Sequence, residues 1–230
     1  NNANPALAKA GDVITVTFTS TDTVDSVTIG GNRVPAVAGA TNNGVTTYTA
    51  TYTVGPQDHG ASMAVNVISV DAAGNRTPVS LTTNLVTVDT VSPSNTVTSV
   101  ALSADTAANG QLNTDFVTAT AAQTVSGTLS ANLLVGETVY VSLDDGATWQ
   151  AATAASGQNT WSLATASLQA GAHALKVKVS DAAGNDGAVY SASYQLDTTL
   201  PTATIVTAAF SQDTAANGQT SQDFVTSVPA

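Results

Sequence analysis

The chain has 230 residues, and its 16 acidic and 5 basic residues give a formal net charge of −11. This acidic balance argues against nucleic-acid binding, which needs basic patches, and no stretch approaches the ~20 consecutive apolar residues of a membrane-spanning helix. The chain has no cysteine, so an extracellular protein of this sequence must be stabilised by packing or by bound metal rather than by disulfides.

From the N-terminal region onward, apolar and polar residues alternate with the two-residue period of β-strands. The alternating segments are rich in Val, Thr, Tyr and Ile. They are Asp12–Ser20, Thr46–Val54, Met63–Val70, Glu137–Leu143, His173–Ser180 and Ala188–Leu196. Helical periodicity is not sustained anywhere. Alternation implies one buried and one solvated face, which predicts an all-β protein built from antiparallel sandwiches.

The chain also repeats itself at the length of a whole domain. The sequence DTAANGQLNTDFVT at 105–118 returns as DTAANGQTSQDFVT at 213–226, which is 108 residues later. VDTVSP at 88–93 returns as LDTTLP at 196–201, again 108 residues later. A period of this length corresponds to a complete domain rather than to a solenoid repeat.

The pentapeptide DAAGN supports nearly the same period, because it occurs at 71–75 and again at 181–185. We therefore predict tandem immunoglobulin-like β-sandwiches in an elongated array, each with about seven short strands in ~100 residues. Residues 1–91 form a repeat whose N-terminal strand is missing. Residues 92–199 form a complete repeat, and residues 200–230 begin a truncated third one.

One succession of motifs points to a family. DTAANGQLNTDFVT, TVSGTLSANLLVGETVYVSLDDGATWQAAT, LQAGAHALKVKVSDAAGN and LDTTLP together resemble the bacterial Ig-like repeats of giant adhesins, the biofilm-associated and type I-secreted (RTX-type) adhesins of Gram-negative bacteria. The resemblance covers the second repeat and the start of the third, and the first repeat is similar to a divergent relative. It implies a cell-surface or extracellular location, a stalk that supports adhesion and biofilm formation, and Ca²⁺ that stiffens the junctions between repeats.

Aspartate dominates the acidic residues, with fifteen copies against the single Glu137. Aspartate favours turns and is a common ligand of Ca²⁺, which takes about six to eight oxygens from carboxylates, amides and carbonyls. Because strands alternate in direction, loop and linker oxygens gather at the two ends of a repeat. The predicted ligands are Asp89, Asp181 and Asn185 at the first junction, and Asp105, Asn109, Asp115 and Asp197 at the next.

The same residues have a simpler interpretation as turns. Asp and Asn close to Gly form turns through backbone chemistry alone, and we favour that interpretation for DAAGN taken singly. The duplicated segment at 105–118 and the linker aspartates Asp89 and Asp197 are harder to explain as turns, so for these we favour metal binding or a junction role.

The segment SLDDGATW at 142–149 fits the S-x-D-x-G-x-T-W pattern called an Asp box. Propellers repeat a blade about four to eight times, whereas this box occurs once. We therefore predict a hairpin in which an Asp side chain caps the turn, Gly146 takes an unusual backbone angle and Trp149 packs over the sheet. His59 and His173 have no repeated partner and there is no cysteine nucleophile, so we predict no enzymatic activity.

Three functions remain open. The first is a structural spacer whose partners are neighbouring repeats of the same chain, with a host or surface ligand bound by other domains. The second is a binding module whose loops contact a glycan, ice or a partner protein. The third is an accessory domain of a secreted hydrolase. Near-identical loops in successive repeats favour the spacer, because such loops face junctions rather than one unique ligand.

A last expectation concerns an unpaired sheet edge. The first repeat lacks its first strand, whereas the segment Pro201–Phe210 alternates like a strand with no sheet of its own. Unpaired edges invite strand addition. We therefore expect this segment to add to an exposed edge in the first repeat of a neighbouring copy.

Overall fold

The computed structural model describes residues 4–82, 86–106 and 114–206, except for the side chain of Thr165. By their contacts, the residues divide into a large unit, Asn1–Thr198, and a small unit, Thr199–Ala230. In the small unit, the described residues 199–206 are exposed and form no strand.

Strands make up nearly all the regular structure of the described residues. The first nine are β1 (Leu7–Ala8), β2 (Val13–Ser20), β3 (Thr23–Ile29), β4 (Asn32–Val34), β5 (Ala36–Asn42), β6 (Val45–Thr53), β7 (Val65–Val70), β8 (Arg76–Leu81) and β9 (Thr87–Val88). The next nine are β10 (Val97–Leu102), β11 (Val117–Thr118), β12 (Ala122–Leu129), β13 (Thr138–Ser142), β14 (Gln150–Ala151), β15 (Thr153–Ala154), β16 (Thr160–Ser167), β17 (Gly171–Ser180) and β18 (Tyr190–Leu196). One turn of 3₁₀ helix, Pro56–Asp58, lies between β6 and β7.

The strands before residue 90 enclose one hydrophobic core. One sheet has the order β2-β6-β5 and the other has the order β4-β3-β7-β8, and the short strands β1 and β9 pair with each other in parallel. Val27 and Ile29 of β3 and Ala50 of β6 are buried in the shared cluster, and Ile14 and Phe18 of β2 pack against it. The period-two alternation therefore gives each strand one side that faces the core.

The later strands enclose a second core that shares no member with the first among the described residues. One sheet has the order β10-β12-β16-β15 and the other has the order β11-β18-β17-β13-β14. Val125 of β12 and Val139 of β13 lie at the centre with Leu175 of β17, and all three are fully buried. Tyr194 is buried too, and its hydroxyl donates to the Leu143 carbonyl at 2.7 Å, so its polar atom is satisfied.

These observations confirm the all-β antiparallel fold. The strands predicted at 12–20 and 46–54 match β2 and β6 within a residue at each end. Two details differ from a purely antiparallel arrangement, because β1 pairs with β9 and β11 pairs with β18 in parallel. The predicted tandem array and the boundaries at 1–91, 92–199 and 200–230 stay predictions.

Candidate functional site

The two DAAGN segments form the same turn. In each, the aspartate carboxylate accepts bonds from the backbone and side-chain nitrogens of the asparagine four residues later. The distances are 2.8 and 2.8 Å for Asp71 with Asn75, and 2.9 and 2.8 Å for Asp181 with Asn185. These bonds, led by that from the Asn75 side chain, lower the pKa of Asp71. The local geometry is thus the turn that the pentapeptide alone predicts.

The second of these turns makes contacts outside its own loop. Asn185 is buried, and its Nδ2 also donates to the backbone oxygen of Asp89 at 2.9 Å. Lys9 Nζ donates to the carbonyl oxygen of Gly184 at 2.6 Å. The structure therefore joins Asn185 to Asp181 and to the Asp89 carbonyl, and adds a lysine that sequence reasoning did not identify.

The side chain of Asp89 has contacts of its own. Its Oδ1 accepts from the backbone N–H of Val91 at 3.0 Å and lies 3.3 Å from Nδ1 of His59. Its own N–H donates to the carbonyl of Ala8 at 2.9 Å. Asp89 is thus held by the segment before β2 and by the loop after β6, in addition to Asn185.

Beside this turn lies an open groove with a volume of about 600 Å³. Its lining includes Lys9, Trp149 and Lys178, together with the carboxylates of Asp12 and Asp186. Lys178 Nζ lies 4.4 Å from the centroid of the Trp149 ring and 2.7 Å from Asp186 Oδ2. Burial disfavours the charge on Asp186, but the bonds from Lys178 and from a serine hydroxyl outweigh it and lower the pKa of this carboxyl.

The groove places scarce basic side chains beside the carboxylates of Asp12, Asp181 and Asp186. Two of the five basic residues, Lys9 and Lys178, line it, and Lys176 lies two residues before Lys178 on the same strand. Lys176 Nζ donates to the carbonyl oxygen of Asp145 at 2.6 Å. The sequence analysis did not predict this groove. The feature of the sequence that could have indicated it is the position of these few lysines.

The loop around Asp105 has a different character. Asp105 is only 3% exposed, and its Oδ2 accepts from the backbone N–H of Phe116 at 3.0 Å. Its Oδ1 is buried and has no hydrogen-bond partner among the described residues. A buried acceptor without a partner costs about 1–3 kcal/mol, and more when it is charged.

Asp115 and Asp197, the other described residues predicted as ligands of this junction, form hydrogen bonds of their own. Asp115 Oδ1 accepts from the N–H of Val117 at 2.9 Å, and the N–H of Asp197 donates to the carbonyl of Thr118 at 3.0 Å. Asn109 lies outside the described residues. Within the described ranges, no group of three or more His, Cys, Asp or Glu side chains is arranged to hold a metal ion.

The fit to Ca²⁺ therefore differs between the two places. Around Asn185 the oxygens of Asp181 and Gly184 already accept bonds from an amide and an ammonium group, so the contact is satisfied without a cation. At Asp105 a buried carboxylate oxygen lacks a donor, which is the chemistry that a hard cation complements.

The Asp box is a hairpin turn, as predicted. Asp144 Oδ1 accepts from the hydroxyl of Ser142 at 2.7 Å and from the N–H of Thr148 at 2.8 Å. The Thr148 hydroxyl also donates to Asp144 Oδ2, and this bond, followed by the other two, lowers the pKa of Asp144 to about 2. Gly146 has φ +95°, and Trp149 packs against Lys178 on the outer face of the sheet. The box is thus explained by turn chemistry.

The sheets and their two cores define an all-β protein of sandwich architecture. Residues 93–198 match the family model of the bacterial Ig-like domain. No sequence among the curated proteins matches the chain. Among the described residues, no helix is long and apolar enough to cross a membrane.

Two solved structures illustrate the level of structural similarity. The chain is 15% identical to fibronectin(III)-like modules of CbhA from Clostridium thermocellum, over 85% of this chain and 93% of that one, with a TM-score of 0.39. It is 18% identical to a tetra-tandem repeat in the extending region of a large adhesion protein, over 84% of this chain, with a TM-score of 0.30. The match covers 43% of that repeat structure.

Proposed function

We propose that the chain is a structural spacer segment of a large bacterial cell-surface adhesin, located outside the cell. The match of residues 93–198 to the bacterial Ig-like domain supports the class of module. The duplicated segments at 105–118 and 213–226 support an array of such modules. In this role the host or surface ligand is bound by other domains, which support adhesion and biofilm formation, and the chain holds those domains at a distance.

The observation that carries the proposal is the bonded contact between the Asn185 turn and the segments around Asp89 and Lys9. A spacer must resist bending at the connections between its modules. Here Asn185 Nδ2 joins the Asp181 carboxylate to the Asp89 carbonyl, and Lys9 is bonded to Gly184. At a net charge of −11, such bonds also oppose the mutual repulsion of acidic modules.

The calcium part of the proposal rests on Asp105. Its buried, unpartnered Oδ1 would be a ligand for Ca²⁺, with Asp115 and Asp197 as further carboxylates of the same junction. A bound cation would neutralise charge there and restrict the linker that follows β18. Asp89, Asp181 and Asn185 remain proposed ligands of the first junction, although their hydrogen bonds already satisfy the contact described above.

Calorimetric titration of the chain with Ca²⁺ tests this directly, with Asp105→Asn as the variant and Asp22→Asn as a matched control on an exposed loop. We expect Ca²⁺ binding that Asp105→Asn weakens at least tenfold and Asp22→Asn leaves unchanged. Chelation with EDTA should also lower the melting temperature of the unsubstituted chain. If the chain binds no Ca²⁺, the calcium part of the proposal fails.

The spacer role is tested separately by small-angle X-ray scattering of residues 1–230. If the connection is rigid, the scattering curve should fit one conformation of Asn1–Thr198 both in low salt and in ~0.5 M salt. The higher salt concentration screens repulsion between exposed charges. A radius of gyration that falls strongly on adding salt would mean that repulsion, not bonding, holds the modules apart.

The groove beside Asn185 supports ligand binding as a second candidate function. Trp149 offers an aromatic surface, and Lys9, Asp12 and Asp186 offer hydrogen-bonding groups around it. A binding site for a sugar could combine groups of these two kinds. A glycan array probed with the chain and with Trp149→Ala distinguishes the two functions. Binding that is lost in Trp149→Ala would favour the binding module over the spacer.

A further inference from the structure

The turn between β1 and β2 holds Lys9 in a fixed place. The carboxylate of Asp12 accepts from the backbone N–H of Lys9 at 2.9 Å, and the N–H of Asp12 donates back to the Lys9 carbonyl at 3.1 Å. Gly11 has φ +89°, a left-handed conformation that glycine adopts without strain. Its N–H donates to the carbonyl of Val54 at 2.9 Å. The turn is thus closed on itself and anchored to the residue that follows β6.

From this turn, the side chain of Lys9 crosses to the later set of strands. Its Nζ donates to the carbonyl of Gly184 at 2.6 Å. A Cβ atom on Gly184 would lie 3.6 Å from this Nζ and 3.9 Å from Cε of the same lysine. The equivalent Gly74, in the earlier DAAGN segment, has nothing within 4 Å of that position among the described residues. Lys9 therefore contacts one of two identical turns, through both its charge and its carbon chain.

The ammonium group of Lys9 lies among acidic side chains. Asp12, Asp181 and Asp186 line the same groove. Burial raises the pKa of Asp186, but hydrogen bonds and the positive charges of Lys178 and Lys9 lower it. An ammonium group in this position attracts carboxylates from both sets of strands, which would otherwise repel one another.

The oxygens at this contact do not suit a calcium ion beside the ammonium group. Ca²⁺ takes about six to eight oxygen ligands. Here the carbonyl of Gly184 accepts from Lys9, and both carboxylate oxygens of Asp181 accept from nitrogens of Asn185. A divalent cation on this carbonyl would also be repelled by the ammonium group that is bonded to it. The residues present therefore fit the lysine rather than the metal.

We propose that Lys9 supplies the positive charge that joins the two sets of strands at this contact, in place of a Ca²⁺ ion. This role rests on the rigid contact of the proposed function, and it is independent of calcium at Asp105. It is the alternative to Ca²⁺ held by Asp89, Asp181 and Asn185, and the experiment below decides between the two. A spacer joined in this way keeps its stiffness at the contact when Ca²⁺ is scarce.

Three substitutions separate the charge of Lys9 from its bulk. Lys9→Met keeps most of the carbon chain and removes the ammonium group. Lys9→Arg keeps a positive charge that can donate to a carbonyl. Lys178→Met is the matched control, because it removes the other ammonium group of the groove. Lys178 contacts Asp186 and Trp149, which both belong to the later set of strands.

The measurement is the distance between the two sets of strands in solution. Because the chain has no cysteine, Thr51→Cys and Ser191→Cys place one spin label on each set, at exposed positions of β6 and β18. Electron paramagnetic resonance of the doubly labelled chain then gives the distribution of distances between the labels. Circular dichroism of each variant checks that both sets of strands remain folded.

We expect a narrow distribution in EDTA for the labelled chain without further change, for Lys9→Arg and for Lys178→Met. Lys9→Met in EDTA should give a distribution roughly twofold wider, because the carboxylates around the contact then repel one another. Adding Ca²⁺ should leave the distribution of the chain with Lys9 unchanged.

Three results would overturn the proposal. If Lys9→Met stays as narrow as the chain with Lys9, the lysine does not hold the contact. If the chain with Lys9 broadens in EDTA and narrows again with Ca²⁺, a metal ion holds the contact, and the spacer role stands without the lysine. A broad distribution both in EDTA and in Ca²⁺ would show that the contact is not rigid, and the spacer role would fail with it.

Discussion

The side-chain nitrogen of Asn185 donates at once to the carboxylate of Asp181, four residues away, and to the carbonyl of Asp89, ninety-six residues away. The first bond belongs to a turn that Asn75 reproduces in the earlier DAAGN segment. The second bond has no counterpart at Asn75 among the described residues, and Asn75 is exposed. One asparagine thus closes a local turn and joins two distant parts of the chain.

This pair of turns predicts the outcome of a matched substitution. Asn185→Ala and Asn75→Ala each remove the side-chain bond within the turn, but only Asn185→Ala also removes the bond to Asp89. We expect Asn185→Ala to lower the free energy of unfolding by about 1 kcal/mol more than Asn75→Ala, the net value of one hydrogen bond. Urea denaturation followed by circular dichroism measures both values. Equal losses would show that the bond to Asp89 contributes nothing.

Gly127 should tolerate no side chain. A Cβ atom on this residue would lie 2.1 Å from the carbonyl oxygen of Ser99 and 2.6 Å from Cζ2 of Trp161. Because β10 and the buried indole of Trp161 would both have to move, we expect Gly127→Ala to lower the free energy of unfolding by about 1–3 kcal/mol or more. This is the usual range for overpacking. Thermal melts compare it with Ser126→Ala, which should change stability by less than ~0.5 kcal/mol.

Asp144 should make the Asp-box turn sensitive to acid. Its pKa is lowered to about 2 from the ordinary 3.8, mainly by the Thr148 hydroxyl. Because the folded pKa lies below the unfolded one, this carboxylate stabilises the fold above about pH 4, and the contribution is lost as pH falls through about 2. Thr148→Val should raise the pKa of Asp144, as measured by NMR titration of its carboxyl carbon. Thr47→Val on β6 serves as the control and should leave this pKa unchanged.

His173 should respond in the opposite direction. Its Nδ1 lies 3.0 Å from Asp145 Oδ2, and this bond raises the pKa of the imidazole above the ordinary 6.5. A raised folded pKa stabilises the fold below about pH 6.5, and this contribution disappears as pH rises through the folded value. Asp145→Asn should return the His173 pKa toward 6.5 in an NMR titration, whereas Asp22→Asn should not. An unchanged pKa in Asp145→Asn would show that this ion pair does not form in solution.

The sequence by itself determined several of the longer strands and the turns of the DAAGN segments and the Asp box. Period-two alternation predicted β2, β6 and β17, because every second residue of a half-buried strand must face the core. The DAAGN turns and the Asp box were predictable as well, since the bonds that close these turns join residues at most four positions apart. Such bonds depend on local residue types and little else.

Tertiary structure decided which of these local features make distant contacts. Asn75 and Asn185 occupy identical pentapeptides, yet only Asn185 is buried against Asp89, and Lys9 reaches Gly184 across 175 residues of chain. The burial of Asp105 likewise depends on which segments neighbour it. Such contacts form because packing of the two cores brings separate segments together, and packing depends on the whole set of strands rather than on any one stretch of residues.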